Sequence, residues 1–485
     1  MARRNHPEIQ TFGCRLNIWE SEVMREQAGA AGLQDAIIFN TCAVTAEAER
    51  QARQAIRKAH RENPDIQIIV TGCAAQIDPD GWAAMPEVSH VVGNHDKLQP
   101  HSWTKLATGA VSRLLVSDVM ELRETASHIL DHFIGHTRAF LQVQQGCDHR
   151  CTFCVIPYGR GNNRSSPAAD IISAAQQLVA NGCQEIVLSG VDITSWGSDM
   201  DGRPRLGNLV RQLLREVPDL PRLRLSSLDP AEPDAELMDV LAEEPRLMPH
   251  LHISAQHGDD LILRRMKRRH LGRDIIRFCN EARRRRPDVA FGADIIAGFP
   301  TESWSAHRQT MAMIKDAGIS YLHVFPYSPR PSTPAADMPQ LDGVVIKKRA
   351  GELRELGEAP ATDPIFQLPV EDEEDGREVT EEMTSGASRA TDLDEPPDPK
   401  SIQLTAGSID NDDNIFREGF DVYAHELDLA TVAPSVVPEE ETEESSSHVI
   451  DPIVYAHPRQ DNRFVWIVIA LLFVAVLVMF ILNTN

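Results

Sequence analysis

Cys147, Cys151 and Cys154 stand in one short run, GCDHRCTFCVIPYGRG, with four residues' spacing and then three. Cubane clusters are ligated by cysteine thiolates, and a loop of this spacing can hold three irons of a four-iron cluster. The fourth iron then stays open to a substrate or cofactor. A zinc site and a disulfide pair are the alternatives. Zinc usually takes a fourth Cys or His at similar short spacing, and here His149 lies inside the loop.

Three more cysteines follow a different pattern. The first 125 or so residues alternate apolar runs with helical stretches: EIQTF, then 19–31; AIIFN, then 46–62; IQIIV, then a turn and HVVGN. Such alternation predicts parallel strands joined by crossover helices. Each of the first three runs ends in a cysteine, at Cys14, Cys42 and Cys73. Carboxyl ends of parallel strands share one edge, where ligands bind, so these thiols can converge on a second cluster. Gly13 and Gly72 precede Cys14 and Cys73 and permit close backbone approach to a bulky group. Taken singly, each cysteine also fits as a small buried residue.

From residue 139 a second series begins, AFLQVQQ, EIVLSG, LRLSS, HLHISA, GADIIAG and YLHVFP, each followed by a helix or loop. Six repeats predict a parallel, partly closed barrel. Its strand ends carry Ser189 and Gly190, Ser226 and Ser227, Ser254 and Gln256, Gly298 and Pro326. Chemistry usually sits at that rim, although Ser and Gly also cap helices there. The expected fold class is α/β. An open parallel sheet fills residues 1–125, and a (β/α)6 barrel fills 135–349.

Residues 350–463 hold 30 of the 72 acidic and 7 of the 48 basic residues, a net of −23 in a chain of −24. Few aromatics and many Pro and Ser accompany them, so the segment reads as an acidic, disordered linker. Residues 464–482, FVWIVIALLFVAVLVMFIL, are uncharged, apolar and long enough to span a bilayer as a helix. Arg459 and Arg463 flank this run and favour a cytoplasmic enzyme portion anchored to the inner membrane. The N-terminus has no signal-peptide pattern, so the cysteines lie on the reducing side. RRMKRRH at 264–270 and RRRR at 283–286 fit either a solvated surface or a patch for RNA phosphates.

From Glu8 to Gly357 the chain resembles the radical S-adenosylmethionine methylthiotransferases, through its six ordered cysteines and linked motifs. CTFC followed by VIPYGRG and Arg164-Ser165 resembles the branch that acts on tRNA N6-threonylcarbamoyladenosine. The isopentenyladenosine and ribosomal-protein branches share the architecture. The resemblance implies two 4Fe-4S clusters, on Cys147, Cys151 and Cys154 and on Cys14, Cys42 and Cys73. S-adenosylmethionine, tRNA and an electron donor are implied with them. Phe153 would pack by the adenine, and Ser189 and Gly190 in LSGVD would meet the methionine amino group. Ser254 and Gln256 would lie near the ribose or carboxylate, with Ala255 and His257 departing from the family pattern. Asp294 and Gly298 in GADIIAGFPTE would border the adenosine. Helix capping or a buried hydrogen bond is the other account of Asp294 and Glu302.

Relatives continue after IKKRAGELRELGE into a small β-barrel RNA-binding (TRAM) domain, where this chain has its acidic linker and apolar run. A gene fusion and a functional membrane tether both fit that change. The expected activity is methylthio insertion at the adenine C2 of N6-threonylcarbamoyladenosine next to the anticodon. A ribosomal-protein methylthiotransferase and an inactive membrane-anchored relic are the alternatives.

Overall fold

The computed structural model of this protein describes residues 7–110, 112–124, 138–231 and 234–358, all within one compact unit. Its first part runs β1 (Glu8–Thr11), α1 (Arg15–Ala30), β2 (Ala36–Thr41), α2 (Ala46–Glu62), β3 (Gln67–Gly72), α3 (Cys73–Ile77) and α4 (Pro79–Ala83). Then come β4 (His90–Val92), α5 (Pro100–Ala107) and β5 (Leu114–Leu115). The strands form one parallel sheet in chain order. β2 is buried along its whole length, as a continuous apolar run between two helical layers requires. Met24, Ala28, Trp103 and Leu106 of α1 and α5 pack on one face, and Ala52, Ile56 and Trp82 of α2 and α4 on the other.

Local chemistry explains why these helices form. Ala48, Ala52, Ile56 and Ala59 fall on one buried face of α2. Thr45 caps it by accepting the Ala48 N–H at 3.2 Å. Glu47 and Glu49 in its first turn, and His60 and Arg61 in its last, suit the helix dipole.

The second part contains β6 (Ala139–Gln142), β7 (Gln144–Gln145), α6 (Ile156–Arg160), β8 (Arg164–Ser165), α7 (Ala168–Ala180) and β9 (Glu185–Ser189). It continues through α8 (Leu206–Glu216), β10 (Arg222–Leu225), α9 (Ala235–Glu243), β11 (His250–Gln256), α10 (Asp260–Arg265) and α11 (Gly272–Arg285). β12 (Ala290–Ala297), α12 (Trp304–Asp316), β13 (Tyr321–Pro326) and α13 (Gly343–Glu358) complete it. The six long strands are all parallel, in two sheets of three, β6-β9-β10 and β11-β12-β13. Two isolated parallel bridges, Leu223 to Leu247 and Leu228 to Ile253, connect this side of the two sheets, so the ladder is interrupted where a continuous barrel wall is expected.

Along the strands the period of two separates the faces. Leu251, Ile253, Ala293, Ile295 and Val324 join the core with the helices, which turns His252, Ser254, Asp294 and His323 to the opposite side. AFLQVQQ is not one strand. β6 stops at Gln142, and β7 pairs antiparallel with β8, closing the neck of the cysteine loop that lies between them.

α13 carries on past residue 349, where composition places the linker, because Ala350, Leu353 and Leu356 are buried in the core. Among the described residues no helix is long and apolar enough to cross a membrane. The rest of the acidic linker and the run 464–482 lie outside the described residues.

Candidate functional site

The loop closed by β7 and β8 gathers Cys147, Cys151 and Cys154. Burial pushes the Cys147 thiol up to about 12, with Asp192, Cys154 and Cys151 adding to the rise. Burial likewise pushes Cys154 up to about 12, and Cys151 contributes. Unmetallated, these two are protonated thiols, and a metal binds them by displacing the proton. The Cys147 sulfur, a His149 ring nitrogen and an Asp192 oxygen lie within 4.8 Å of one another. His149 Nε2 is 3.0 Å from Asp192 Oδ2.

Cys14, Cys42 and Cys73 come to the carboxyl edge of the first sheet: Cys14 precedes α1, Cys42 follows β2, and Cys73 opens α3. Gly13 has φ +94°, and a Cβ there would lie 2.8 Å from the Cys42 sulfur. Gly72 has φ +98°, and its Cβ would strike the Thr41 carbonyl oxygen at 2.2 Å. Only glycine fits either position, so the packing that brings the strand ends together is written in these residues. Burial raises the Cys42 thiol to about 12, reinforced by Cys14 and Cys73. None of the six cysteines is in a disulfide. Two sets of three thiols, with Cys42 and Cys73 buried and the other four half-buried, suit soft, thiolate-binding metal clusters.

α6 joins the two sets. It begins two residues after Cys154, and a Cβ on its Gly159 would sit 3.2 Å from the Cys73 Cβ. Asn94 donates to the Gly159 carbonyl at 2.6 Å and reaches the Cys73 sulfur at 3.5 Å. Arg160, buried, donates to Cys73 Sγ at 3.2 Å, Asn17 Oδ1 at 2.7 Å, Glu20 Oε1 at 2.8 Å and Gln145 Oε1 at 2.9 Å. Glu20 in turn accepts from Lys97 Nζ at 2.6 Å. Burial opposes the Glu20 charge, yet Arg160 and Lys97 overcome it and hold the carboxyl down to about 2.

The other sequence-derived positions spread along the strand ends. Phe153 packs edge-on to Phe299, 6.4 Å between centroids, in a small apolar cluster with Ile262 and Met266. Ser189 is buried and donates to the Val187 carbonyl at 3.2 Å. A Cβ on Gly190 would meet Gln144 Oε1 at 2.9 Å, and that same oxygen accepts the Asp192 N–H at 2.8 Å. The Ser254 carbonyl accepts from Arg268, whose guanidinium is 3.6 Å from the Cys151 sulfur. Gln256 holds the left-handed φ of +65°, a strained conformation for a side-chain-bearing residue.

Asp294 has internal partners: Oδ1 is 2.9 Å from His252 Nε2 and 3.2 Å from His323 Nδ1. Burial works against its charge, but the two imidazoles hold the carboxyl well below the usual range. Gly298, φ +75°, faces Ile346 where a side chain would project. Glu302 is no helix cap, for Ser303 caps α12. Buried Glu302 accepts the Gly298 N–H at 2.6 Å and pairs with Arg349 at 3.3 Å.

Sequence spacing missed Arg160, Asn94, Asp192, His252 and His323, whose partners are distant in the chain. Several arginines of the arginine-rich segments pair within the protein, while Arg264, Lys267, Arg269 and Arg284 are exposed. Arg268 and Arg269 pair with Asp229 at 3.2 Å, and Arg265 donates to Thr301. Arg285 pairs with Glu281 and Asp239, and Arg286 donates to the carbonyls of Leu241, Glu244 and Leu247.

Residues 141–314 match the Radical SAM superfamily, and residues 6–93 match a family described as Uncharacterized protein family UPF0004. The Threonylcarbamoyladenosine tRNA methylthiotransferase MtaB of Rickettsia prowazekii is 52% identical over 357 residues, covering 74% of this chain and 84% of the relative. The chain belongs to the radical S-adenosylmethionine methylthiotransferases. A Bacillus subtilis relative of the same name is 34% identical, covering 77% of this chain and 86% of its own. A tRNA-2-methylthio-N(6)-dimethylallyladenosine synthase of Cereibacter sphaeroides is 35% identical, covering 72% and 81%. As a radical S-adenosylmethionine methylthiotransferase, the protein is an enzyme whose family implies a 4Fe-4S cluster and S-adenosylmethionine.

Proposed function

We propose that this enzyme inserts a methylthio group at C2 of the adenine of N6-threonylcarbamoyladenosine in tRNA. The observation that carries this is the joining of two thiol triads through α6, in a chain 52% identical to a protein named for that substrate. Cys147, Cys151 and Cys154 hold one 4Fe-4S cluster, and Cys14, Cys42 and Cys73 hold the other. When bound, the clusters and S-adenosylmethionine would supply the radical chemistry and the sulfur to be inserted.

The chain's own residues bind, orient and exclude water. Ser189, Gly190, Ser254, Gln256, Asp294 and Gly298 on or beside the strands, with Phe153 in the cysteine loop, would hold S-adenosylmethionine. Asp294, held ionised by His252 and His323, is fixed in one orientation and offers a constant acceptor. The α6 joint keeps both triads in one rigid frame, and placement of that kind accounts for a large share of such rate enhancements. An electron donor must reach the open loop. The run 464–482 is the segment that would tether the enzyme at a membrane.

Nucleosides of tRNA from a strain lacking this gene test the proposal, with the full chain and its Cys42→Ala variant returned separately. The methylthio derivative of threonylcarbamoyladenosine is expected to vanish, then return with the full chain only. An unchanged level in the deletion strain would sink it, and loss of the dimethylallyl derivative instead would move the activity to the other nucleoside.

A further inference from the structure

Two cations and one carboxylate are buried together beneath the Cys14, Cys42 and Cys73 triad. Arg160, Lys97 and Glu20 have side chains 1%, 0% and 0% exposed. Lys97 Nζ sits 2.6 Å from one Glu20 oxygen, and Arg160 sits 2.8 Å from the other. Burial pushes the Lys97 ammonium down against the pull of Glu20, so Arg160 is the fixed cation of the group. Arg160 directs Nε at the Cys73 sulfur, 3.2 Å away, and Asn94 Nδ2 lies 3.5 Å from the same sulfur. A fixed cation and a neutral donor thus converge on one ligand atom.

Hydrogen bonds to ligating sulfurs, and net charge nearby, set the potential of an iron-sulfur cluster. Each added electron makes the cluster more negative. A buried cation therefore stabilises the reduced form more than the oxidised one, and little water is present to screen it.

We propose that Arg160 is a positioning residue that raises the reduction potential of the cluster on Cys14, Cys42 and Cys73 by donating a hydrogen bond from its charged guanidinium to the Cys73 sulfur. This rests on the two-cluster assignment above. The same guanidinium is the last residue of α6, which begins two residues beyond Cys154. The residue that tunes one cluster is thereby carried on a helix that starts at the loop of the other.

The test uses the full chain carrying Cys147→Ala, Cys151→Ala and Cys154→Ala, so that only the N-terminal triad can bind iron. Its midpoint potential is read by EPR-monitored redox titration. Arg160→Gln is expected to lower the potential, Arg160→Lys to lower it less, and Glu20→Gln to raise it. Opposite shifts from two partners of one ion pair distinguish tuning from a merely structural tie, which would weaken folding in both variants and leave the potential alone.

Potentials unmoved in Arg160→Gln and Glu20→Gln at unchanged iron content would overturn the proposal. If Arg160→Gln binds no iron, Glu20→Gln decides: a rise supports the tuning role and an unmoved potential overturns it. Absence of iron with Arg160 and Glu20 intact would instead overturn the two-cluster assignment itself.

Discussion

The Glu302 carboxylate accepts the backbone N–H of Gly298 at 2.6 Å and faces Arg349 at 3.3 Å, so one buried charge closes the turn after β12 and anchors α13 beneath it. Burial alone would raise this carboxyl. His257, His307 and Arg349 overcome burial and lower it to about 2 from an ordinary value of 4.5. A folded value below the unfolded one adds stability that is fully present above about pH 4.5. That stability is lost as pH falls toward about 2, a contribution on the order of 3 kcal/mol.

Glu302→Gln should therefore lose on the order of 3 kcal/mol at neutral pH, because it leaves buried Arg349 without a counter-charge. Urea unfolding followed by circular dichroism at pH 7 and pH 4 checks both parts. The wild type should lose stability between those pH values, and the variant should lose less. Equal midpoints at pH 7 would show the pair to be unimportant.

The cysteines separate cleanly by environment. Cys183 lies outside both triads, its Sγ donating to the Glu185 carbonyl at 3.2 Å, and Cys279 is buried in the core of the second part. Cys183→Ala and Cys279→Ala should leave iron unchanged at about eight atoms per chain. Cys42→Ala or Cys151→Ala should each remove about half. Iron and sulfide assays on anaerobically prepared protein decide, and loss of iron in Cys279→Ala would mean the ligand set has been misassigned.

Much of this was legible in the sequence because the signals are local. The spacing of Cys147, Cys151 and Cys154 is a property of one loop, and the helix Ala46–Glu62 follows from apolar period and end charges over its own length. Arg160 falls inside the VIPYGRG motif, but its role was not legible, since its partners Asn17, Glu20 and Cys73 lie far upstream. The break of AFLQVQQ at Val143 escaped for the same reason. Two residues leave the strand to meet Arg164–Ser165, a pairing that strand propensity does not encode. The arginine runs stand out by charge in sequence, while the acids and carbonyls that pair with several of them are scattered along the chain.

Asp294 offers a site test independent of cluster assembly. Its carboxylate bridges His252 and His323, whose rings lie 4.6 Å apart, centroid to centroid. Asp294→Asn keeps the shape and removes the charge that orients both imidazoles. We expect full iron content and a turnover reduced about 10²-fold, the scale at which misplacement of reacting groups acts. Turnover within twofold of wild type would leave Asp294 a structural partner of the two histidines and no more.

The arginine pairs carry a last prediction about RNA. A side chain that neutralises a phosphate of single-stranded RNA contributes about 0.7 to the slope of log affinity against log salt. Arg285 is held by Glu281 and Asp239 on the protein itself, so its charge is already compensated. Arg285→Ala should leave that slope unchanged when tRNA binding is titrated across salt concentrations, and should barely move the thermal unfolding midpoint. A slope reduced by about 0.7 would place Arg285 on the RNA and show that its acidic partners release it when tRNA arrives.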